Sequence, residues 1–344
     1  MIEFKSGDLL QADVEALVNT VNTVGVMGRG IALQFKQAYP ANFAAYEKAA
    51  KRGEIVPGKV FVYETGAFAN PRYIINFPTK CHWRDKARIE DIETGLQDLV
   101  SVIREKEICS IAMPPLGCGF GGLDWEEIRP LILSAMESTP EVRTLVYSPV
   151  GTPPAEKMKV GTSRPRLTIG RAALIELIEK YALPGYQLTQ LEIQKLAYLL
   201  QAAGEPLRLN YVKQQYGPYA ENLHFVLQRI NGHYLTGYGD RSGRAYLHLL
   251  PGANEEAESF LDEYPDTKER LERVSRLIQG FETPYGMELL TTVHWLAMNE
   301  DPAAKKDYGV ALRGFEAWNQ RKRKHFRPEH IKVAWERLHQ QGWL

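Results

Sequence analysis

A glycine-containing segment between a short apolar run and a helix-like pattern is the feature that most constrains the fold of this chain. Its sequence, Asn19-Thr-Val-Asn-Thr-Val-Gly-Val-Met-Gly-Arg-Gly-Ile-Ala-Leu-Gln-Phe35, follows Ala16-Leu-Val18. Backbone N–H groups in such a loop approach a ligand closely, and the helix start favours a phosphate or diphosphate. The two asparagines add uncharged donors and acceptors, which suit a sugar. The segment therefore predicts a strand–loop–helix unit that holds a nucleotide-like ligand.

A second glycine loop, Pro114-Pro-Leu-Gly-Cys-Gly-Phe-Gly-Gly-Leu-Asp-Trp125, has the same placement. It follows the apolar run Ser110–Met113 and leads into another helix-like pattern. Turns alone also explain a single glycine run, but two such runs after two strands of one domain predict a diphosphate held from both sides. Neither loop has the GxGxxG context of a dinucleotide-binding fold or the GK[ST] ending of an NTPase loop, so both classes are disfavoured.

Short apolar runs alternate with amphipathic patterns over the first 150 residues. We expect strands at Ile2–Phe4, Ala16–Asn19, Val60–Glu64, Tyr73–Asn76, Ser110–Met113 and Thr144–Tyr147. We expect helices at Pro40–Lys51, at Trp125–Met136 and where Ile89, Ile92, Leu96, Leu99 and Ile103 recur at spacings of three and four. Such alternation predicts an α/β domain with helices on both faces of a mostly parallel sheet. Ligands of such sheets bind beyond the carboxyl ends of the strands, where both glycine loops lie.

A stretch rich in proline and glycine separates this region from one of different character. Residues 151–168 have the composition of a linker, which gives a first domain at 1–150 and a second at 169–344. The second domain is expected to be mainly α-helical. Helical spacing of apolar residues occurs at 174–178, Leu188–Ala202, Leu271–Ile278, Met287–Met298 and Ile331–Leu338, and Tyr234–Tyr238 with Ala245–Leu250 predict a small hairpin.

The composition is that of an ordinary globular protein of 344 residues, long enough for two domains. No run of about 18 apolar residues exists, so we expect no membrane span, and the first residues lack a signal-peptide pattern. A cytoplasmic location is therefore expected. The net charge is zero, −3 for residues 1–153 and +3 for the rest, which does not indicate duplex-DNA binding. Cys81, Cys109 and Cys118 are widely spaced, and we expect no metal site and no cofactor.

Three polar residues near the expected strand ends are candidates for ligand contact. Asp8 follows the first strand and would accept a hydrogen bond from an adenine amine, although a helix N-cap is the commoner role of such a residue. Lys80 closes the segment Tyr73-Ile-Ile-Asn-Phe-Pro-Thr-Lys80, past a buried strand. In a cleft it would stabilise an anion or form a Schiff base with an opened ribose, whereas most lysines are solvated surface charges. His82 is a further candidate contact.

These motifs together resemble those of macro domains. The Gly-Asp-Leu start at residues 7–9 and both glycine loops match, and the match covers residues 1 to about 150. The resemblance is closest to the DarG family, whose members are DNA ADP-ribosyl glycohydrolase antitoxins paired with DarT toxins. The commonest macro hydrolases carry Asn-Ala-Ala-Asn, whereas this chain has the form of the lysine-dependent branch. The resemblance implies a three-layer α/β macro domain with a mixed, mostly parallel sheet.

The resemblance also implies roles for individual residues. Lys80 would be the main catalytic residue, because the lysine-dependent branch uses a Lys after Asn-Phe-Pro-Thr. Asp124 matches an acid that assists the lysine in a related branch, although a helix N-cap explains Asp124 equally well. The residues implied for ADP-ribose binding are Asp8, Leu9, Asn19, Asn22, Thr23, Gly25, Val26, Met27, Gly28, Gly30, His82, Gly117, Cys118, Gly119, Phe120, Gly121 and Gly122.

The chemistry implied for Lys80 follows from the glycosidic bond. Cleavage builds positive charge at C1″ of the distal ribose, and loops that hold the diphosphate fix that carbon in place. Lys80 would protonate or polarise the leaving group, or capture the opened sugar. Both routes stay open at this point, and neither requires a metal.

Two motifs in the second region resemble the Panacea or SocA-like antitoxin domain. They are Leu188-Thr-Gln-Leu-Glu-Ile-Gln-Lys-Leu-Ala-Tyr-Leu-Leu200 and Val212-Lys-Gln-Gln-Tyr-Gly-Pro-Tyr219, and this looser resemblance covers roughly residues 170–300. It implies a module that binds and neutralises a cognate toxin. The alternative is that Tyr216 and Tyr219 are ordinary core residues.

The expected function is therefore that of an antitoxin. Its macro domain would remove ADP-ribose from thymidine in ADP-ribosylated single-stranded DNA, and its C-terminal domain would bind a DarT-like toxin. One alternative is a module that binds ADP-ribose without cleaving it. In that case the helical region would be a DNA-binding regulator, a role that the basic run Arg321-Lys-Arg-Lys-His-Phe-Arg327 favours.

Overall fold

The chain forms two compact units. The computed structural model describes residues 1–151, 153–182, 186, 188–241 and 246–344. The first unit comprises Met1–Ser163 with Gly239–Gly243, and the second comprises Arg164–Tyr238 and Arg244–Leu344. Within the described ranges, every helix is too short or too polar to cross a membrane.

The first unit is built on a six-stranded sheet with the order β1-β6-β5-β2-β4-β3. The strands are β1 Ile2–Lys5, β2 Ala16–Asn22, β3 Phe61–Glu64, β4 Tyr73–Lys80, β5 Ser110–Met113 and β6 Arg143–Tyr147. All neighbours pair in parallel except β3, which is antiparallel to β4 at the edge. The predicted mixed, mostly parallel sheet is confirmed.

Helices cover both faces of this sheet. They are α1 Gly30–Ala38, α2 Pro40–Lys51, α3 Ile89–Glu105 and α4 Trp125–Glu137. Successive strand residues point to opposite faces, so Val18 packs in the cluster that contains Leu96 of α3 and Ile132 of α4. Leu17, its neighbour, packs in the cluster that contains Phe35 of α1. The unit therefore has three layers, as expected.

Two strands run further than the sequence predicts, and their extra residues reach the ligand-binding edge. The prediction ended β2 at Asn19 and β4 at Asn76, because the apolar runs stop there. Both asparagines are fully buried, and the Asn19 Nδ2 donates to Asn76 Oδ1 at 3.0 Å. Past these two asparagines the strands continue to Asn22 and Lys80, which are register partners.

The second unit is mainly helical, as predicted. Its helices are α5 Ile169–Tyr181, α6 Gln190–Ala202, α7 Leu223–Ile230, α8 Ala253–Leu261, α9 Pro265–Ile278, α10 Pro284–Trp295, α11 Tyr308–Ala317, α12 Gln320–His325 and α13 Pro328–Gln340. Its described strands are β7 Leu188–Thr189, β8 Tyr211–Gln214, β9 Gly217–Ala220, β10 Leu235–Thr236 and β11 Tyr246–Leu249. The antiparallel pair β10–β11 is the predicted hairpin, although Ala245 lies outside the described residues.

One predicted helix boundary in this unit is shifted. The apolar spacing placed a helix at Leu188–Ala202, but Leu188 and Thr189 pair with β11 and the helix begins at Gln190. Thr189 and Glu192 form a capping box, which satisfies N–H groups at the helix start. Thr189 therefore ends the strand and caps the helix.

The two motifs of the second region meet in its interior. Gln194 on α6 donates to the carbonyl of Ala220 at 2.9 Å and accepts from the Ala220 N–H at 3.0 Å. The buried Lys195 donates to the carbonyl of Pro218 at 2.7 Å. These bonds fasten the antiparallel pair β8–β9 to α6. Tyr216, between the two strands, is 42% exposed, so it is not an ordinary core residue.

Candidate functional site

A cavity of about 560 Å3 lies beyond the carboxyl ends of β2, β4 and β5 in the first unit. Its walls include ten of the residues expected to bind or act on ADP-ribose: Leu9, Asn22, Val26, Gly28, Gly30, Lys80, Gly117, Gly119, Phe120 and Gly121. Both glycine loops therefore face one space with Lys80. This is the sheet edge where ligands of parallel α/β folds bind.

The side chain of Asn22 stabilises the first glycine loop through hydrogen bonds to the loop backbone. Its Oδ1 accepts from the N–H groups of Val24 at 3.1 Å and Val26 at 3.3 Å, and its Nδ2 donates to the Val26 carbonyl at 2.6 Å. Tyr46, buried below the loop, donates its hydroxyl to the Asn22 carbonyl, and burial raises the pKa of Tyr46. Hydrogen bonds of Asn22 and Tyr46 thus hold the loop in shape.

Gly30 marks the point where the first loop becomes α1. Its φ of +58° lies in the left-handed region, which favours glycine. A Cβ built on Gly30 would lie 3.3 Å from the Phe120 ring, so the two loops approach each other here.

The second loop is a compact series of turns. The Leu123 N–H donates to the Gly117 carbonyl at 3.1 Å, and the Gly122 N–H donates to the Gly119 carbonyl at 3.1 Å. A Cβ on Gly121 would lie 2.3 Å from the Gly117 oxygen, so no side chain fits there. Burial and the nearby Asp124 charge raise the pKa of Cys118 to about 11, which keeps its thiol protonated at neutral pH.

Lys80 is the last residue of β4 and lies in the cavity wall. Its Nζ donates to the carbonyl of Phe120 at 3.2 Å, which ties the lysine to the second loop. Partial burial lowers the pKa of Lys80, and the Asp85 carboxylate opposes that shift. A lowered pKa increases the fraction of neutral amine near neutral pH, and it makes the ammonium form a better proton donor.

Asp8 and Asp124 cap helices and are not among the residues that line the cavity. Asp8 Oδ1 accepts from the Leu10 N–H at 2.9 Å at the start of a short 3-10 helix, Leu9–Gln11. Asp124 Oδ1 accepts from the Glu126 N–H at 3.0 Å at the start of α4, and its side chain faces solvent. The capping alternative therefore describes their observed contacts, and their roles in binding and catalysis remain predictions.

Other predicted contacts support the walls from behind. Asn19 and Met27 are buried, and Nδ2 of Asn19 lies 3.8 Å from the Met27 sulfur. Thr23 joins the first loop to the segment after β4 by donating its hydroxyl to the Cys81 carbonyl at 2.7 Å. Gly25, His82, Cys118 and Gly122 also lie outside the cavity lining. The ligand-binding roles of these residues stay predictions.

Among the cavity-wall residues that the sequence-based prediction of the site did not include are Arg29, Gln34, Trp83 and Arg84. The guanidinium of Arg29 lies 4.4 Å from the centroid of the Phe120 ring. The guanidinium of Arg84 lies 4.5 Å from the centroid of Trp83. Trp83 and Arg84 lie three and four residues after the candidate catalytic lysine, and this proximity in sequence is the signal that would have identified them.

Comparisons with known proteins identify the family of this chain. A family model described as the Macro domain matches residues 18–132. A protein of Thermus aquaticus named DNA ADP-ribosyl glycohydrolase is 49% identical over 344 residues, covering 100% of this chain and 94% of the relative. A solved macrodomain of Mycobacterium tuberculosis DarG is 58% identical, covers 43% of this chain and 98% of that chain, and superposes with a TM-score of 0.43.

A third relative joins two activities in its name. It is a DNA ADP-ribosyl transferase–DNA ADP-ribosyl glycohydrolase fusion protein of Thermosipho africanus, 33% identical over 159 residues, covering 42% of this chain and 41% of the relative. Because the Thermus relative matches along almost its whole length, both units are included in that likeness. The chain belongs to the DNA ADP-ribosyl glycohydrolase family, and its first unit is a macro domain.

Proposed function

We propose that this chain is an antitoxin that removes ADP-ribose from thymidine in single-stranded DNA and binds a DarT-like toxin through its second unit. The observation that carries the enzymatic half is Lys80. It lies in one cavity wall with two glycine loops and has a lowered pKa. The name of the Thermus relative supports DNA as the carrier of the ADP-ribose.

The cavity wall suggests how ADP-ribose lies in it. Leu9 and Gly7 follow β1 and suit the adenosine end. The glycine loops line the same cavity, so their backbone N–H groups can bind the diphosphate. Neither loop contains the lysine of a P-loop, so backbone N–H groups are the donors that the loops themselves offer. The distal ribose then lies toward Lys80, and the DNA leaves the cavity on that side.

Lys80 performs the chemistry in this arrangement. Hydrolysis breaks the bond between C1″ of the distal ribose and the thymine, with water supplying a hydroxyl to C1″ and a proton to the base. As an ammonium, Lys80 would protonate or polarise the leaving base. As a neutral amine, it would add to C1″ of the ring-opened sugar while the bond from C1″ to the base breaks and the base leaves with a proton; water would then hydrolyse the imine to ADP-ribose and the free amine. Borohydride treatment during turnover separates the routes, because only the second leaves a reduced adduct on Lys80.

The proposal that the second unit binds a toxin is supported by a relative and by surface charge. The name of the Thermosipho relative joins a transferase and a glycohydrolase in one chain, which supports a link between this chain and a transferase. In this chain, α8 and the turn after it expose carboxylates of Glu255, Glu258 and Glu263. We propose that these acidic side chains enter the DNA-binding groove of the toxin, because they present the charge of a DNA backbone.

One variant, Lys80→Ala, tests both the proposed enzymatic activity and the proposed toxin binding. The full chain should release ADP-ribose from an ADP-ribosylated thymidine oligonucleotide, and Lys80→Ala should release almost none while still inhibiting the toxin by binding. A reader module would bind the modified oligonucleotide without release, which would contradict the enzymatic half.

Charge reversal tests the toxin surface. Glu255→Lys with Glu258→Lys should weaken toxin binding, whereas Glu269→Lys, on an exposed position of α9, serves as the matched control. Unchanged toxin affinity in the double variant would remove the acidic surface from the proposal. Strong, salt-dependent binding of plain duplex DNA would instead favour a DNA-binding regulator.

A further inference from the structure

The segment that follows Lys80 places an aromatic ring and a guanidinium at the rim of the cavity. Trp83 is 46% exposed, and both Trp83 and Arg84 line the cavity. The guanidinium of Arg84 lies 4.5 Å from the Trp83 centroid, and the His82 ring lies 5.0 Å from it. The half-exposed Trp83 ring in the cavity wall is therefore a surface on which a planar group of a ligand can stack.

The same segment is basic in a unit that is otherwise acidic. Lys80–Arg88 contains four Lys or Arg residues and one Asp, whereas residues 1–153 have a net charge of −3. The one acid, Asp85, accepts from the His82 N–H at 2.9 Å and shapes the turn. In the proposed binding mode the glycine loops hold the diphosphate of ADP-ribose, so this local positive charge suits further phosphates.

We propose that Trp83 and Arg84 bind the DNA strand next to the modified thymidine, with a flanking base stacked on Trp83 and a backbone phosphate paired with Arg84. This inference rests on the proposed function, because it requires the strand to leave the cavity at the Lys80 side. Stacking on aromatic rings and pairing of Arg with phosphates are the usual means of holding a single strand without reading its sequence. The two residues therefore select a polymeric substrate over a modified nucleoside.

The test compares two substrates that differ only in flanking nucleotides: ADP-ribosylated thymidine and an oligonucleotide that contains it. Trp83→Leu should lower kcat/KM on the oligonucleotide about tenfold more than it lowers kcat/KM on the modified nucleoside, mostly through KM. Trp83→Phe should keep most of the oligonucleotide rate, because it retains an aromatic face. Equal rates of Trp83→Leu and the wild type on the oligonucleotide, or equal losses on both substrates, would overturn the proposal.

The matched control is a second ring of the same kind outside the cavity. Phe4 is 44% exposed, and the Arg129 guanidinium lies 4.6 Å from its centroid. Phe4→Leu should leave both substrates unaffected; a loss on the oligonucleotide equal to that of Trp83→Leu would overturn the assignment to Trp83. In a plot of log KM for the oligonucleotide against log salt concentration, Arg84→Ala should reduce the slope by about 0.7, because one phosphate contact is lost. An unchanged slope would contradict a contact between Arg84 and a phosphate.

Failure of the proposed function gives a different result. A wild-type chain that releases ADP-ribose from neither substrate contradicts the activity itself. The rim is then tested by the affinity for an unmodified thymidine oligonucleotide, which should be about tenfold weaker in Trp83→Leu than in Trp83→Phe. Equal affinities of these two variants would overturn the rim assignment.

Discussion

Both units of this protein contain lysines that are partly or fully buried, but the surroundings of these lysines differ between the units. In the first unit, Lys80 opens onto a cavity and donates to one backbone carbonyl, that of Phe120. In the second unit, Lys195 and Lys322 are fully buried. Lys322 donates to Glu288 at 2.6 Å and to the Thr292 hydroxyl at 3.0 Å.

Burial lowers the lysine pKa in both units. It lowers the pKa of Lys195 to about 7, with a contribution from the Lys322 charge, and the pKa of Lys322 to about 8, where Glu288 opposes the shift. The comparison teaches that a lowered pKa does not identify a reactive site. The distinguishing property of Lys80 is its access to a cavity that two glycine loops leave open.

The largest effect on stability is expected at the buried cluster. Glu288→Ala removes the carboxylate that pairs with Lys322 and Arg321 and leaves buried positive charge behind. The free energy of unfolding should fall by about 3–5 kcal/mol, measured by urea denaturation. Glu269→Ala, on an exposed face of α9, is the control, and an equal loss in both variants would contradict a structural role for the cluster.

The glycine loop should be the next most sensitive element. Gly121→Ala places a methyl group 2.3 Å from the Gly117 oxygen, so the loop must shift. The unfolding free energy should fall by about 1–3 kcal/mol. Gly119→Ala provides the comparison in the same loop, because a Cβ there meets nothing within 4 Å. Similar unfolding free energies for the two variants would show that the loop is not as tightly packed as described.

The stability of the second unit should depend on pH through its buried lysines. The pKa of Lys195 is about 7 in the folded chain and about 10.4 when unfolded, so the unfolded chain binds more protons between these values. The unfolding free energy should therefore rise with pH, by up to about 2 kcal/mol between pH 7 and 9. Urea denaturation of Lys195→Met should show a smaller rise, and an unchanged rise would exclude Lys195 as its source.

The smallest change in unfolding free energy is expected at Asp124, where two substitutions distinguish a capping role from a catalytic role. Asp124→Ala should lower the unfolding free energy by about 1 kcal/mol, whereas Asp124→Asn should not, because Asn caps a helix about as well as Asp. ADP-ribose release by Asp124→Asn then tests the predicted assistance to Lys80. An unchanged release rate would show that Asp124 caps the helix and does not assist Lys80.

The sequence predicted the sheet and the positions of the two glycine loops because both rest on local patterns. Apolar runs followed by glycine loops define β2 and β5, and residues of both loops line the cavity. The prediction stopped β2 and β4 too early because a polar Asn normally ends a buried run. The pairing of Asn19 with Asn76 is a long-range contact that a local pattern does not contain.

The cavity rim was missed for a related reason. Trp83 and Arg84 belong to a turn without apolar periodicity, so nothing in their spacing indicates that they face the same space as Phe120. Their position depends on β4 reaching Lys80 and on the turn that Asp85 closes. In the second unit, Gln194 and Lys195 looked like parts of a toxin-binding motif, and their observed contacts fasten β8–β9 to α6.

The most direct test of the account is single-turnover release of ADP-ribose by Lys80→Ala, together with its affinity for free ADP-ribose. The release rate should fall by roughly 10²- to 10⁴-fold, while the ADP-ribose affinity stays within a few-fold of the wild type, because the glycine loops hold the ligand. Lys59→Ala, an exposed lysine outside the cavity, should match the wild type in both measurements. Full release by Lys80→Ala would contradict the account.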